Sequence, residues 1–123
     1  MPSVHDGADI FLNSSLIDNQ PLSILEAIAS GLPVVSTGVG DIANMLEDGV
    51  TGTIVPERDS AAMAAAATRL LEYPDRARSM ASQAYAQLDR YSWSRVGSQW
   101  STLYNDIMGG SQMQRMEGIH RAA

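Results

Sequence analysis

Two carboxylates and a helix start hold most of the chemistry this sequence offers in a short space. Asp18 and Glu26 stand eight positions apart in D-N-Q-P-L-S-I-L-E-A-I-A-S-G-L-P, residues 18–33. A charged carboxylate oxygen can accept two hydroxyl donors, which suits it to polyhydroxylated ligands such as sugars. Between the acids lie Asn19, Gln20, Leu22 and Ser23. Pro21 suits the first position of a helix, Gly31 the position just past its end and Pro33 a firm stop, so 21–30 reads as a helix. The amides of Leu22 and Ser23 then lack an intrahelical acceptor and are open to an anion such as a diphosphate. The blander reading of Asp18 and Asn19 is a turn and a cap.

Glu26 poses a question. Leu22, Ile24, Leu25, Ala27, Ile28 and Ala29 surround it in sequence, a pattern expected of a helix buried on nearly every side. A lone carboxylate there is costly unless paired or hydrogen-bonded. It also stands too deep in the helix to gain fully from the N-terminal partial charge. Either it reaches an Arg or backbone N–H groups, or it lines an open cleft and meets ligand hydroxyls.

The elements around it suggest how such a site is held. Residues 9–13 read as a short buried strand, 32–37 as a second and 53–55 as a third. A brief helix over 41–46, capped by Asp41, is expected between the second and third. Strand, helix, strand, helix, strand at this spacing implies an α/β fold with a partial Rossmann-like parallel sheet and flanking helices. In open sheets of this kind ligands bind at the C-terminal ends of the strands, where the loop 14–20 enters the first helix.

After Pro56 helices follow. Asp59 caps one over 59–72, with Met63, Leu70 and Leu71 facing inward. Pro74 restarts another to about Leu88, using Met80, Ala84 and Leu88. Ser92 opens a last helix whose Trp93, Val96, Trp100, Leu103 and Ile107 form an apolar stripe. That stripe either covers the chain's own sheet or docks a partner. Gly109-Gly110 is expected to end the helix, giving a domain over 1–108 and a disordered tail over 109–123.

Composition removes several classes. The 123 residues carry a formal net charge of −6, no cysteine and two histidines, His5 and His120. Thiolate chemistry, disulfides and Cys-based zinc sites are excluded. All eight basic residues are Arg, so no lysine can form a Schiff base, and no basic run suggests a nucleic-acid partner. No G-x-G-x-x-G or P-loop occurs; Gly38-Val39-Gly40 is a short glycine turn followed by Asp41. Glu57-Arg58-Asp59 is more simply a cap than a metal site. No bilayer-length apolar run and no signal-peptide pattern is present, which makes a cytoplasmic protein the default.

Four stretches in order resemble one family. A-D-I-F-L-N-S-S, D-N-Q-P-L-S-I-L-E-A-I-A-S-G-L-P-V-V-S-T, E-D-G-V-T-G-T-I-V-P and Y-S-W-S-R-V are similar to the C-terminal domain of group 1 glycosyltransferases, over about residues 7–107. These are retaining, nucleotide-sugar-dependent enzymes of the GT-B fold. The resemblance implies that the chain is the C-terminal half of a GT-B C-terminal domain followed by C-terminal helices. It implies that Asp18 and Glu26 are the family's paired donor-site acids, Glu26 toward the ribose hydroxyls and Asp18 toward the donor sugar. Asn19, Gln20, Leu22 and Ser23 would touch sugar and diphosphate, and Thr37 and Gly38 would border the site. The donor would be a substrate, with no metal or other cofactor expected, and a glycan or lipid-linked acceptor would be met through an N-terminal domain.

The chain departs from the family at Asp18, commonly Glu, and at Pro21, often Gly. It also lacks the Arg and Lys that neutralise the diphosphate and the first strands of the sheet. Residues 9–13 would correspond to about the fourth of six strands. A truncated chain with an open sheet edge is therefore expected, inactive as a transferase by itself and able to associate with a partner chain or with itself through that edge. Peripheral attachment at the inner face of a membrane is expected for the full-length form.

Overall fold

A computed structural model describes residues 2–122, with side chains for 3–109. The chain divides into two compact units, Met1–Leu88 and Asp89–Ala123.

The first unit contains α1 (Pro2–His5), β1 (Phe11–Asn13), α2 (Leu22–Ala29), β2 (Val34–Thr37), α3 (Ile42–Met45), β3 (Thr53–Val55), α4 (Ser60–Glu72) and α5 (Pro74–Ala86). The three strands form a parallel sheet in the order β1-β2-β3. Phe11 lies opposite Val34, and Val35 opposite Thr53. Every residue of β2 is buried, as a central parallel strand covered on both faces requires. Val35 and Val55 share a core cluster with Leu70 of α4 and Met80 of α5, flanked by Ile10, Met63 and Ala66. Helix α2 packs against β1, β2 and α5. Gly31, at φ +79, follows its last turn in the left-handed conformation that glycine adopts without steric penalty.

The helix starts differ in detail from expectation. Pro21 is the N-cap of α2, at φ −69 and ψ 118, rather than its first residue. Asp59 caps α4 as expected, its Oδ1 accepting from the Ala62 amide at 2.8 Å. Asp41 stands before α3 but makes no side-chain cap bond to its backbone; its carboxylate accepts from the side chains of Asn44 and Gln20 instead. Leu71, expected inside, is exposed on the outer side of α4.

The two sheet edges differ. In a parallel ladder alternate residues bond to alternate sides. The Phe11 amide donates to Pro33 O at 3.0 Å, so the N–H and C=O of Leu12 point away from β2. Leu12 is exposed. At β3 the Ile54 amide donates to Asp48 Oδ1 at 2.9 Å, and a side chain closes that edge.

The second unit holds a short 3-10 turn leading into α6 (Trp93–Ala122). The backbone stays helical through Gly109-Gly110 to Ala122, where the sequence pointed to a stop. Isolated glycines weaken a helix without forbidding it. Asp89 accepts from Arg95 Nη1 at 3.1 Å, and Trp100 lies beside Tyr104 with ring centroids 6.0 Å apart. A single helix offers no interior, so Trp93, Trp100, Leu103 and Ile107 are exposed.

Candidate functional site

The C-terminal ends of the strands gather most of the residues singled out in the sequence. Each parallel strand ends at this edge, and each following loop begins here. Asn13 ends β1, and its Nδ2 donates to Ser36 Oγ of β2 at 3.1 Å. Ser15 Oγ donates back to Asn13 Oδ1 at 2.7 Å. Thr37 ends β2; its hydroxyl donates to Ser15 O at 2.6 Å, and the residue is 2% exposed. The loop leaving β1 is thus stitched to the end of β2 before it reaches Asp18. Thr37 spends its hydroxyl on that stitch. Gly38 is half-buried beneath Ile54 of β3.

Asp18 is half-buried, and its Oδ1 accepts from the Asn19 amide at 2.8 Å. The loop it belongs to is held by residues 40 and 41. The Asp41 amide donates to Asn19 O at 2.8 Å. Gln20 Nε2 donates to Asp41 Oδ2 at 2.8 Å, and Asn44 Nδ2 donates to Asp41 Oδ1 at 2.8 Å. Gln20 therefore turns its amide nitrogen toward Asp41.

Helix α2 begins directly after this loop. Ile24, Ala27 and Ile28 are buried, while Leu22, Ser23 and Glu26 are exposed together with Ala29 and Ser30. Positions 22, 23, 26, 29 and 30 form one face at helical spacing. The expectation of a helix buried on nearly every side is corrected here; of the two settings open to Glu26, it takes the exposed one, with no protein partner required. The apolar residues facing the protein are 24, 27 and 28, and Glu26 lies on the solvent side beside Leu22. Leu22 is 67% exposed, a large apolar side chain with no cover next to the carboxylate. No acceptor among the described residues takes the amides of Leu22 and Ser23, so both remain open as the helix start dictates.

The structure thus brings Asp18, Asn19, Gln20, Leu22 and Ser23 together around the α2 N-terminus, with Glu26 on the next turn of its exposed face. Thr37 and Gly38 stand behind the loop. Asn13, Ser15, Gly40 and Asp41 were not singled out for this role. Asp41 carried a signal that pointed to a cap, and Gly40 stood out only as part of a glycine turn. A further cleft of about 290 Å³ at the same strand ends is lined by Ser14, Leu16, Thr37, Pro56, Arg58 and Met63, among others. Arg58 takes φ 57, a left-handed conformation that costs a residue with a side chain on the order of 1–3 kcal/mol. It brings a cation to this edge that the sequence assigned only to the approach to α4. No cluster of three potential metal ligands occurs among the described residues.

Comparison with known proteins gives the arrangement a context. D-inositol 3-phosphate glycosyltransferase of Corynebacterium urealyticum is 33% identical over 105 residues, covering 85% of this chain and 25% of the relative. Phosphatidyl-myo-inositol mannosyltransferase of Mycobacterium leprae is 40% identical over 93 residues, covering 74% of this chain and 25% of the relative. The chain thus spans about a quarter of the length of these relatives. Sucrose-phosphate synthase from Thermosynechococcus elongatus superposes with a TM-score of 0.81 at 26% identity, over 87% of this chain and 27% of that one. Anabaena HepE, solved in complex with UDP, superposes with a TM-score of 0.82 at 22% identity, over 86% of this chain and 30% of that one. The parallel sheet with its flanking helices matches the GT-B fold of these structures. The family model for glycosyl transferases group 1 matches residues 1–73, more than half of the chain and all of the loop and helix just described, and the chain belongs to that family.

Proposed function

We propose that this chain supplies the nucleotide-sugar-binding part of a retaining glycosyltransferase, with Asp18 and Glu26 as the donor-site acids. One observation carries the reading: α2 presents an open N-terminus and an exposed carboxylate on the same face, at the C-terminal edge of a parallel sheet. The Leu22 and Ser23 amides suit a diphosphate, Glu26 a ribose diol and Asp18 the sugar hydroxyls. Asn19 and Gln20 fix the loop between them, and Thr37 and Gly38 support it from behind. The solved relative HepE holds UDP, which favours a uridine nucleotide. In the larger protein a hexose would pass to a glycan or lipid-linked acceptor, and charge growing on the leaving diphosphate would be met by preoriented amides and the family's basic pair. The donor is a substrate in this reading, and no metal is assigned. No helix among the described residues is long and apolar enough to cross a membrane; work at the cytoplasmic side, with peripheral attachment to the membrane, is part of the proposal.

Ligand-observed NMR on the purified chain tests it, with UDP, GDP, ADP and their sugar conjugates as probes. Binding of a uridine nucleotide that disappears in Glu26→Ala is the expected result. Glu26 is exposed, so this variant keeps wild-type stability to within about 0.5 kcal/mol. A folded chain that binds none of the probes would overturn the reading for this polypeptide alone. Donor turnover by the pure chain is expected to be absent, and its detection would refute the assignment of a half-site.

The open β1 edge favours a second role, association with a partner chain or with another copy. Light scattering across a concentration series reads it directly, and a strictly monomeric chain would exclude self-association.

A further inference from the structure

We propose that Gly40 and Asp41 form a positioning element that sets where Asp18 stands relative to the α2 N-terminus. The inference rests on the donor-site reading for its functional consequence, and on geometry alone for its structural part. Asp18 sits in a loop with no regular structure, yet the site needs its carboxylate at a fixed distance from the Leu22 and Ser23 amides. Its own bond, to the Asn19 amide, joins neighbours and cannot orient the loop. Restraint comes from residues 40–41. Asp41 N–H is bonded to Asn19 O and Asp41 Oδ2 to Gln20 Nε2, each at 2.8 Å. Asn44 steadies the other oxygen of Asp41.

Gly40 supplies the close approach. A Cβ built there would lie 1.9 Å from Asp18 O, 2.8 Å from Asp18 C and 3.1 Å from Asn19 O. The obstacle is backbone, so no rotamer change can relieve it. Seating a methyl group would move the Asp18–Asn19 peptide by about 1 Å, a displacement that can cost a reacting site roughly 100-fold. Gly40 also takes φ +58, but a positive φ alone does not separate it from Gly49, which has φ +79 and nothing within 4 Å of an added Cβ. Gly49 therefore isolates the conformational strain from the contact.

The experiment compares Gly40→Ala, Gly49→Ala and Asp41→Ala in the full 123-residue chain, labelled with nitrogen-15. Amide exchange and chemical shifts report on the loop, and titrations with UDP-glucose and with UDP report on binding. Both glycine variants should lose global stability. Only Gly40→Ala should speed exchange of the Asp41 amide at least tenfold beyond the global change, move the Asn19 and Gln20 signals and weaken UDP-glucose binding at least tenfold. Asp41→Ala introduces no overlap and should shift the Gln20 side-chain amide while weakening UDP-glucose binding several-fold; it decides the matter if Gly40→Ala fails to fold. Equal effects of Gly40→Ala and Gly49→Ala on the loop would overturn the proposal, as would a displaced loop with unchanged UDP-glucose affinity. If the wild-type chain binds neither UDP-glucose nor UDP, the donor-site reading fails by itself, and exchange and shifts still decide whether residues 40–41 hold the loop.

Discussion

Replacing Thr37 by Val tests whether the loop carrying Asp18 is tied to the sheet by one hydroxyl. Thr37 is buried, and its Oγ1 donates to Ser15 O at 2.6 Å. Valine has nearly the same shape, so the change opens no cavity and removes only the bond. A neutral hydrogen bond contributes about 0.5–1.5 kcal/mol net, and a buried acceptor left unpaired costs about 1–3 kcal/mol. Ser15 is half-buried, so water can reach its carbonyl once the loop gives way, which places the expected loss at about 1–2 kcal/mol. For a unit the size of Met1–Leu88, each kcal/mol moves Tm by roughly 4–8 °C, a fall of about 4–16 °C. Urea unfolding measures the loss, with an unchanged slope showing that only stability moved. Thr37→Ser keeps the hydroxyl and gives up a methyl group, so it should leave amide exchange over residues 15–20 slow, whereas Thr37→Val should speed it. Wild-type stability in Thr37→Val, or equal loop exchange in the two variants, would refute the reasoning.

Other consequences follow from single contacts. Leu70 is 4% exposed and packs with Val35, Val55 and Met80, so Leu70→Ala should cost about 2–5 kcal/mol in urea unfolding; Leu71→Ala, on the exposed side of α4, should stay within about 0.5 kcal/mol. Asp59→Ala removes the cap on the Ala62 amide and should cost about 1 kcal/mol, with Asp59→Asn keeping most of it. Asp48→Ala frees the outward Ile54 amide and should raise concentration-dependent association, measured by light scattering; a variant as monomeric as wild type would show that Asp48 does not guard that edge.

Local signals marked the strands and helices because they are local in origin. Leu32-Pro33-Val34-Val35-Ser36-Thr37 reads as a buried strand, and its residues 34–37 form the central β2. Asp59 reads as a cap and is one. Asp41 carries the same cap signal, yet its carboxylate serves Gln20, twenty-one positions away. A short polar side chain before a helix can satisfy its lone pairs locally or at a distance, and residue type alone does not say which. At Gly109-Gly110 glycine permits a stop without enforcing one, and the helix passes through.

The sequence by itself determined the parallel α/β class and the family, and it marked Asp18 and Glu26 as candidates, because periodicity, turn residues and motif spacing are written along the chain. Tertiary structure alone decided which face of α2 carries Glu26. Its flanking residues pointed to burial on all sides, but the sheet and α5 cover only the side of Ile24, Ala27 and Ile28. It alone decided, too, that Gly40 touches the Asp18 carbonyl. Those outcomes depend on which distant segments pack together, and burial is a property of neighbours in space rather than in sequence.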